Sequence, residues 1–259
     1  VESVFSQSFP DWEHIISDNG STDGTRDYLD SLPGDSRRRI FKQEKNLGIG
    51  GNLDFLVSNA RAPIVYILCA DDYFYADGLS RVVKEWNNVP TDTAFIAFNW
   101  KEAIGHSVIA KYSYEVLPKK IDPFASRFVF FLFGNVAGNL SNVSARVYVL
   151  KHSGGFSRPL KQALDFDVWA DIARTHTMML SDTETAFVRI HKGTATNYMN
   201  TKGQQFAEHL VVYDKLIQDL LPYVDREQLV RYFNIEIPSF HLREAIKFAL
   251  HGRFQKMDS

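Results

Sequence analysis

The chain has 259 residues, of which 45% are apolar and 23% are charged, a composition that favours a folded core over intrinsic disorder. Its 29 Lys and Arg nearly balance 31 Asp and Glu, which excludes a protein that binds nucleic acid mainly through bulk positive charge. The single cysteine, Cys69, excludes an internal disulfide framework and a zinc site built from several thiolates. Because no apolar run approaches the roughly 18 residues of a membrane-spanning helix, and the opening residues lack a signal-peptide pattern, we expect a cytoplasmic domain.

The first hundred residues alternate between predicted strands and predicted helices. The turn residues Asp18-Asn19-Gly20 close the first strand, and Ser21 or Thr22 is expected to cap the helix that follows. The predicted strands are Glu13–Ser17, Arg39–Gln43, Ile64–Leu68 and Ala94–Trp100, and the predicted helices lie around Tyr28–Leu32, before Ala60 and over Asp77–Asn87. This alternation predicts an α/β fold with a mostly parallel, Rossmann-like sheet covered by helices on both faces.

The second half of the chain is less regular until its helical end. Residues 101–157 show no sustained period, whereas Phe166–Arg174 has a helical pattern. Apolar residues from Phe206 to Leu220 recur at intervals of four and three, as expected of an amphipathic helix. Two more helical segments are predicted, at about Arg226–Phe233 and Phe240–Phe254. We therefore expect a helical extension at the C-terminus.

Carboxylates follow two of the predicted strands directly. Asp18 ends the first strand, and Asp71 and Asp72 end the apolar strand Ile64–Leu68. Ligands collect at the carboxyl ends of strands in open α/β sheets, and carboxylate oxygens suit hard cations such as Mg²⁺ or Mn²⁺. The simpler interpretation is a solvated turn in which Asp72 caps the next helix. Because no Gly-x-Gly-x-x-Gly follows the first strand, a nucleotide-dependent oxidoreductase on a similar sheet is disfavoured.

Taken in order, several short motifs resemble one known family. The first and most specific is the run from Ser6 to Thr25, Ser-Gln-Ser-Phe-Pro-Asp-Trp-Glu-His-Ile-Ile-Ser-Asp-Asn-Gly-Ser-Thr-Asp-Gly-Thr. It is followed by Asn46-x-Gly48 with Asn52, Ala70-Asp71-Asp72, Gly154-Gly155-Phe156, Asp165-Phe166-Asp167-Val168-Trp169 and Arg189-Ile190-His191. Over about residues 1–195, the chain resembles family 2 glycosyltransferases, which have the GT-A fold.

The resemblance implies an inverting transfer of a sugar from a nucleotide diphosphate donor, most plausibly a UDP-sugar. By similarity, Asp18 would contact the nucleobase, and Asn46 and Asn52 would line the nucleotide side of the site. Asp71 would lie in the region of the family's Asp-x-Asp motif, near the ribose and the diphosphate. In this interpretation, these four residues bind the donor.

The resemblance also implies a divalent metal, Mn²⁺ or Mg²⁺, and a general base. Asp71, Asp72 and His191 would hold the cation, although a lone histidine is more often structural. Asp165 would remove the proton of the acceptor hydroxyl, because it matches the second position of the family's Glu-Asp motif. Asp167 shares the same helix start and is expected to be structural. The alternative for both carboxylates is helix capping.

Three departures from the family pattern bear on this interpretation. Cys69 stands where many members have the first Asp of Asp-Ala-Asp-Asp, and Leu164 replaces the Glu of Glu-Asp. The family's first strand has no counterpart in this sequence, since Val1–Phe5 has the pattern of a helix. The departures at Cys69 and Leu164 motivate an alternative function, a non-catalytic module that binds nucleotide or glycan without turnover.

The expected acceptor is a glycan or a lipid-linked saccharide of a bacterial surface polysaccharide. Residues 1–100 would bind the nucleotide-sugar, residues 101–200 the acceptor, and residues 201–259 would form the helical extension. The stretch Gly134–Asn139 is expected near the acceptor, and the nearby Phe128, Phe130, Phe131 and Phe133 either form core or offer an apolar surface. The basic amphipathic tail, Arg243–Lys256, would pack on the domain or make a peripheral contact with the inner face of a membrane.

Overall fold

The computed structural model describes residues 1–102, 117–156, 159–189 and 204–235. The strands are β1 (His14–Asp18), β2 (Arg38–Lys42), β3 (Ile64–Tyr66), β4 (Tyr73–Phe74), β5 (Thr93–Glu102), β6 (Lys120–Ile121), β7 (Val143–Arg146) and β8 (Thr177–Val188). The helices are α1 (Glu2–Phe5), α2 (Thr25–Ser31), α3 (Gly48–Asn59), α4 (Gly78–Asn88), α5 (Pro123–Phe133), α6 (Val147–His152), α7 (Leu164–Ala173) and α8 (Gln204–Leu220), and residues 226–235 are also helical.

The described strands form two sheets. Strands β1 and β2 pair in parallel, and the second sheet has the order β3-β7-β5-β8-β4, with β6 paired to β8. The two longest ladders, β1–β2 and β5–β8, are parallel, whereas the four short ladders are antiparallel. The expected α/β class with a mixed, mostly parallel sheet is confirmed.

Most of the predicted elements lie within a few residues of the observed ones, but two details differ. Helix α2 begins at Thr25 with Gly24 as its N-cap, and the Asp23 carboxylate accepts a hydrogen bond from the Thr25 N–H at 3.2 Å. The expected capping by Ser21 or Thr22 is therefore wrong, because the chain first turns at Gly24 (φ 87°). Strand β8, which pairs with β5 along most of its length, was not predicted from the sequence.

Two compact units divide the chain, Val1–Val212 and Tyr213–Ser259. The first contains both sheets. The described part of the second consists of the end of α8 and the helical residues 226–235, where the rings of Tyr213 and Phe233 lie 5.4 Å apart. The predicted helices near residues 206–220 and 226–233 are thus present, whereas the predicted segments Phe240–Phe254 and Arg243–Lys256 lie outside the described residues.

Helix α7 is anchored in the core by Trp169. This side chain is fully buried, lies 5.1 Å from the ring of Phe95 on β5, and contacts Phe156 edge-on at 5.8 Å. Full burial of an aromatic side chain contributes several kcal/mol, about 3–5 when it is truncated to Ala. The packing therefore fixes α7 against the sheet and against the loop that ends at Phe156.

The Phe-rich segment forms α5, which begins at a Pro in its first turn and is capped by Asp122. Phe130 and Phe131 are buried in the core, whereas Phe133 is exposed. The segment thus serves both of the roles that the sequence left open. Within the described ranges, no helix combines the length and the apolar character that crossing a membrane requires.

Gly78, the first residue of α4, is the position where a single methyl group should disturb the fold most clearly. A Cβ there would lie 2.4 Å from the Thr185 carbonyl oxygen and 2.8 Å from Phe74. We expect Gly78→Ala to lower the free energy of unfolding by about 1–3 kcal/mol, because neither the β8 backbone nor the packed ring yields easily.

Denaturant unfolding monitored by circular dichroism measures this effect. Gly34→Ala is the matched control, since nothing lies within 4 Å of the added Cβ, and its effect should stay within about 1 kcal/mol. Equal stabilities of the two variants would contradict the assignment of Gly78 as a close-packed position.

Candidate functional site

Asp18, at the end of β1, has a buried carboxylate that is fully paired. It accepts hydrogen bonds from the Ser21 N–H at 3.1 Å and from Arg26 Nε at 2.8 Å. Burial alone would raise the pKa of Asp18, but the hydrogen bonds from Ser21 and Arg26 outweigh it and lower the pKa. Arg26 also donates to the carbonyl of Gln43, so one guanidinium joins the ends of β1 and β2. No sequence motif identified Arg26, although it lies in the first turn of α2, the helix that follows the acidic end of β1.

The loop before α3 lies against the end of β1. Asn46 Oδ1 accepts from Asn19 Nδ2 at 3.1 Å and from the Gly48 N–H at 2.8 Å, and Asn19 Oδ1 accepts from the Leu47 N–H at 2.8 Å. Gly20, at φ 80°, packs so closely that a Cβ would lie 2.9 Å from the Asn46 nitrogen. The amide side chains thus hold the exposed loop at the carboxyl edge of the sheet.

Asn52, on α3, is turned toward β1. Ser17 Oγ donates to Asn52 Oδ1 at 2.6 Å and accepts from Gln43 Nε2 at 3.1 Å. Asp54, two residues farther along the helix, accepts from the Phe156 N–H at 2.6 Å. Helix α3 therefore connects the end of β1 with the Gly-Gly-Phe loop, through a contact of Asp54 that the sequence motifs did not identify.

Asp71 and Asp72 lie in the turn between β3 and β4, where Asp71 is exposed and Asp72 is half-buried. Arg189 fixes this turn, since its backbone N–H donates to Asp72 Oδ1 at 2.9 Å and its Nε donates to the Asp71 carbonyl. His191, the predicted third metal ligand, lies outside the described residues. Arg189 is the one residue of the Arg-Ile-His motif within the described ranges, and it contacts both Asp71 and Asp72.

Three acidic residues, Asp71, Asp72 and Asp165, act electrostatically on the thiol of Cys69. Burial raises the pKa of its thiol to about 11; the Ser141 side chain acts in the opposite direction, and the negative charges of Asp72, Asp71 and Asp165 add smaller upward contributions. Asp165, nearly one hundred residues away in sequence, is thus close enough to the Asp71–Asp72 turn to influence the same group. At neutral pH the Cys69 thiol is protonated, so it adds no negative charge where many family members have a carboxylate.

Asp165, in the first turn of α7, has an environment that disfavours its ionised form. Burial raises the pKa of Asp165 to about 6, although hydrogen bonds from the Phe166 N–H and the Asn135 side chain act in the opposite direction. Asn135 belongs to the Gly134–Asn139 stretch and also donates to the Gly138 carbonyl at 2.7 Å. A carboxyl group that titrates near neutrality is suited to accept a proton at physiological pH.

The neighbours of Asp165 on α7 point into the core. Leu164 is only 4% exposed and Asp167 only 2%. The residue that replaces the family's Glu therefore contributes to packing, and the burial of Asp167 agrees with the structural role expected for it. Asp165 is the half-buried carboxyl group of this turn.

The donor chemistry of the Asp71–Asp72 turn fits a hard divalent cation. Two carboxylates supply the oxygen ligands that Mg²⁺ and Mn²⁺ prefer, and the neutral Cys69 thiol does not compete as a soft ligand. Within the described ranges, which exclude His191, no three His, Cys, Asp or Glu side chains form a ligand cluster. Asp71 and Asp72 are therefore the described residues of this turn whose chemistry suits such a cation.

Comparison with known proteins decides the family. The sequence model described as Glycosyl transferase family 2 matches residues 1–132, just over half of the chain. The chain belongs to glycosyl transferase family 2. The resemblance inferred from the motifs is confirmed.

Related sequences in the family come from bacteria. The chain is 28% identical over 202 residues to an uncharacterized glycosyltransferase of Rickettsia felis, covering 76% of this chain and 31% of the relative. It is 38% identical over 85 residues to the putative teichuronic acid biosynthesis glycosyltransferase TuaG of Bacillus subtilis, covering 32% of this chain and 34% of TuaG. The matched regions thus span about a third of the length of each of these relatives.

Solved structures of glycosyltransferases have the same fold. The structure of S. aureus TarS 1-349 in complex with UDP-GlcNAc matches 90% of this chain and 68% of its own, with a TM-score of 0.65 and 17% identity. The mannosyltransferase PcManGT of Pyrobaculum calidifontis, in complex with GDP-Man and Mn²⁺, matches 89% of this chain and 73% of its own, with a TM-score of 0.56 and 15% identity. The family 2 domain therefore has the expected GT-A fold.

The raised pKa of Asp165 predicts that its charge destabilises the folded protein. Because the folded-state pKa is about 6 and the ordinary value is 3.8, this penalty is present above pH 6 and disappears as the pH falls toward 4. We expect Asp165→Asn, which keeps an oxygen for the Phe166 N–H, to raise the free energy of unfolding at pH 7.5 by up to about 3 kcal/mol.

Urea unfolding at pH 7.5 and at pH 4.5 tests this expectation, since the gain should shrink at the lower pH. Asp171→Asn makes the same chemical change on the same helix. Because Asp171 forms a partly exposed ion pair with Arg174, its replacement should change stability by less than about 1 kcal/mol. No gain in Asp165→Asn at pH 7.5 would show that the carboxylate is better solvated than its surroundings indicate.

Proposed function

We propose that this family 2 domain transfers a sugar, with inversion, from a nucleotide diphosphate donor to a hydroxyl group of a saccharide acceptor. The observation that carries the proposal is that Asp165, in the first turn of α7, and the carboxylates of the Asp71–Asp72 turn all act on the same side chain, that of Cys69. A base on one side and a diphosphate site on the other is the arrangement that an inverting displacement requires.

Asp165 would act as the general base. In its ionised form it takes the proton of the acceptor hydroxyl while the hydroxyl oxygen attacks the anomeric carbon from the face opposite the leaving group. The bond between the anomeric carbon and the diphosphate oxygen breaks, and the nucleotide diphosphate departs with the negative charge. Asn135 supports this role, because its side chain interacts with Asp165 and favours the ionised form.

Asp18, Asn46, Asn52 and Asp71 are proposed to bind the donor. The carboxyl ends of β1 and β2, joined by Arg26, would hold the nucleobase, and the loop at Asn46 would line the nucleotide. Because the Asp18 carboxylate is already paired with Arg26, we expect it to act on the base partly by holding that guanidinium in place. A UDP-sugar is the proposed donor, and TarS, which has the same fold, was solved with UDP-GlcNAc.

Asp71, Asp72 and His191 would hold a divalent cation, Mn²⁺ or Mg²⁺. Such a cation, when bound, would neutralise the charge that develops on the diphosphate. PcManGT, another protein of this fold, was solved with GDP-Man and Mn²⁺. The contact of Arg189 with Asp71 and Asp72 supports the participation of the Arg-Ile-His motif.

The proposed acceptor is a glycan or lipid-linked saccharide used in cell-envelope polysaccharide synthesis. The name of the relative TuaG points to such a pathway. In this proposal residues 1–100 bind the donor, residues 101–200 bind the acceptor, and residues 201–259 form a helical extension. A peripheral membrane contact through Arg243–Lys256 on the cytoplasmic side would bring the domain to a lipid-linked acceptor.

A second candidate function, a module that binds nucleotide or glycan without turnover, is favoured by one observation. The Cys69 thiol is neutral, so the turn has one carboxylate fewer than many family members. Release of nucleotide diphosphate from the donor distinguishes the two functions.

The central test measures nucleotide diphosphate released from a panel of UDP-, GDP- and dTDP-sugars with Mn²⁺. We expect Asp165→Asn to lower the rate by at least about 100-fold while nucleotide affinity is retained, because only the base is lost. The wild-type rate should fall as the pH drops below about 6, since protonated Asp165 accepts no proton.

Asp171→Asn serves again as the matched control and should retain its rate. An unchanged rate in Asp165→Asn would refute the assignment of the base. Nucleotide binding without release of diphosphate from any donor in the panel would favour the binding module.

Cys69→Asp should strengthen cation binding, because a carboxylate would replace a neutral thiol beside Asp71 and Asp72. We expect about a tenfold lower dissociation constant for Mn²⁺ in the presence of UDP, measured by isothermal titration calorimetry. Cys69→Ser, which stays neutral, should bind Mn²⁺ like the wild type. Equal affinities for all three proteins would argue against a cation at this turn.

A further inference from the structure

Glu208, on α8, is a buried carboxylate that no motif identified. It is only 8% exposed, and one of its oxygens, Oε2, accepts hydrogen bonds from three consecutive backbone N–H groups. The donors are Lys161 at 2.8 Å, Gln162 at 2.6 Å and Ala163 at 3.0 Å. Its other oxygen accepts from Gln204 Nε2 at 2.8 Å. A single side chain thus organises the backbone that leads into α7.

Helix α7 receives no hydrogen bond from the side chain of its N-cap residue. Its N-cap residue is Ala163, which cannot accept a hydrogen bond through its side chain. The N–H groups at a helix start need acceptors, and a negative charge there is favourable. The Glu208 carboxylate lies just before this helix start, where it accepts from the N–H of the N-cap residue Ala163 and from the two N–H groups that precede it.

Two further observations support a fixed contact between α8 and the start of α7. The ring of His209, next to Glu208, meets the ring of Phe166 edge-on at 5.6 Å. Burial alone would raise the pKa of Glu208, but the backbone hydrogen bonds and the one from Gln204 outweigh it and lower the pKa. Glu208 is therefore ionised at neutral pH, and its negative charge lies beside the N-terminus of α7.

We infer that Glu208 is a positioning residue, which fixes the first turn of α7 and thereby the direction in which Asp165 presents its carboxylate. The inference rests on the proposed function, in which Asp165 is the base. Glu208 acts through the backbone at residues 161–163, so its loss should impair the chemical step and leave the donor site intact. Small displacements of a reacting group have large effects on rate, about 100-fold for 1 Å.

The test compares four full-length variants in the donor panel. Glu208→Ala should lower kcat by at least about tenfold, with the donor KM and the UDP dissociation constant within about twofold of wild type. Glu208→Gln keeps an oxygen that accepts the three N–H groups and should recover most of the rate. Glu208→Asp shortens the side chain by one methylene, which moves the oxygens away from the three N–H groups, and should also lower kcat. It replaces Glu208→Ala in the comparison if Glu208→Ala does not fold.

Ser126→Ala is the matched control at the opposite end of the helix. Ser126 is buried, and its Oγ donates to the carbonyl of Ala173, the last residue of α7, at 2.8 Å. This variant weakens the anchoring of the helix without touching its first turn, so kcat per folded molecule should stay at the wild-type value. An equal loss of kcat in Ser126→Ala would overturn the specific role of Glu208.

Amide hydrogen exchange supplies a readout that does not depend on turnover. Glu208→Ala should speed exchange at residues 161–166, whereas Ser126→Ala should not. If the wild type is active and Glu208→Ala retains its kcat, the positioning role is wrong while the proposed function stands. If the wild type releases no nucleotide diphosphate from any donor, the proposed function fails. The positioning role then fails with it, even when faster exchange in Glu208→Ala shows that Glu208 holds residues 161–163.

Discussion

The proposed site depends on one carboxyl group, that of Asp165, being held where burial makes its charge unfavourable. Burial raises the pKa of Asp165, and a flexible segment would relieve this penalty by turning the side chain to water. Helix α7 prevents such relief, because Trp169 is locked between Phe95 and Phe156 and the helix start is tied to Glu208. Packing elsewhere in the domain thus offsets the free-energy cost of burying this carboxyl group and keeps its pKa raised toward neutral pH.

Interactions between distant segments build the rest of the site around this helix. On one side, Arg26 joins Asp18 to the end of β2, and Asn52 fastens α3 to β1. Through Asp54, the same α3 holds the Gly-Gly-Phe loop, whose Phe156 packs on Trp169. A continuous set of contacts therefore runs from the proposed nucleotide side to the helix that bears Asp165.

The neutral thiol of Cys69 changes the electrostatics of the centre. Asp71, Asp72 and Asp165 all act on this residue, so an additional carboxylate there would repel three others unless a cation balanced the charge. With a protonated thiol the turn carries less negative charge. Under the proposed function, a divalent cation would therefore meet one carboxylate fewer at this turn than the Asp-Ala-Asp-Asp pattern supplies.

The sequence by itself determined the family, the α/β class and the candidate side chains, because strand ends, turn residues and short motifs are local features. It placed Asp18, Asp71, Asp72 and Asp165 in plausible local settings, and most helices and strands lie close to their predicted bounds. Only the tertiary structure decided that Asp165 acts on Cys69, that Arg26 pairs with Asp18, and that Glu208 holds the residues that lead into α7. Those contacts join residues far apart in the chain, and local patterns carry no record of which distant backbone or charge will satisfy a buried polar group.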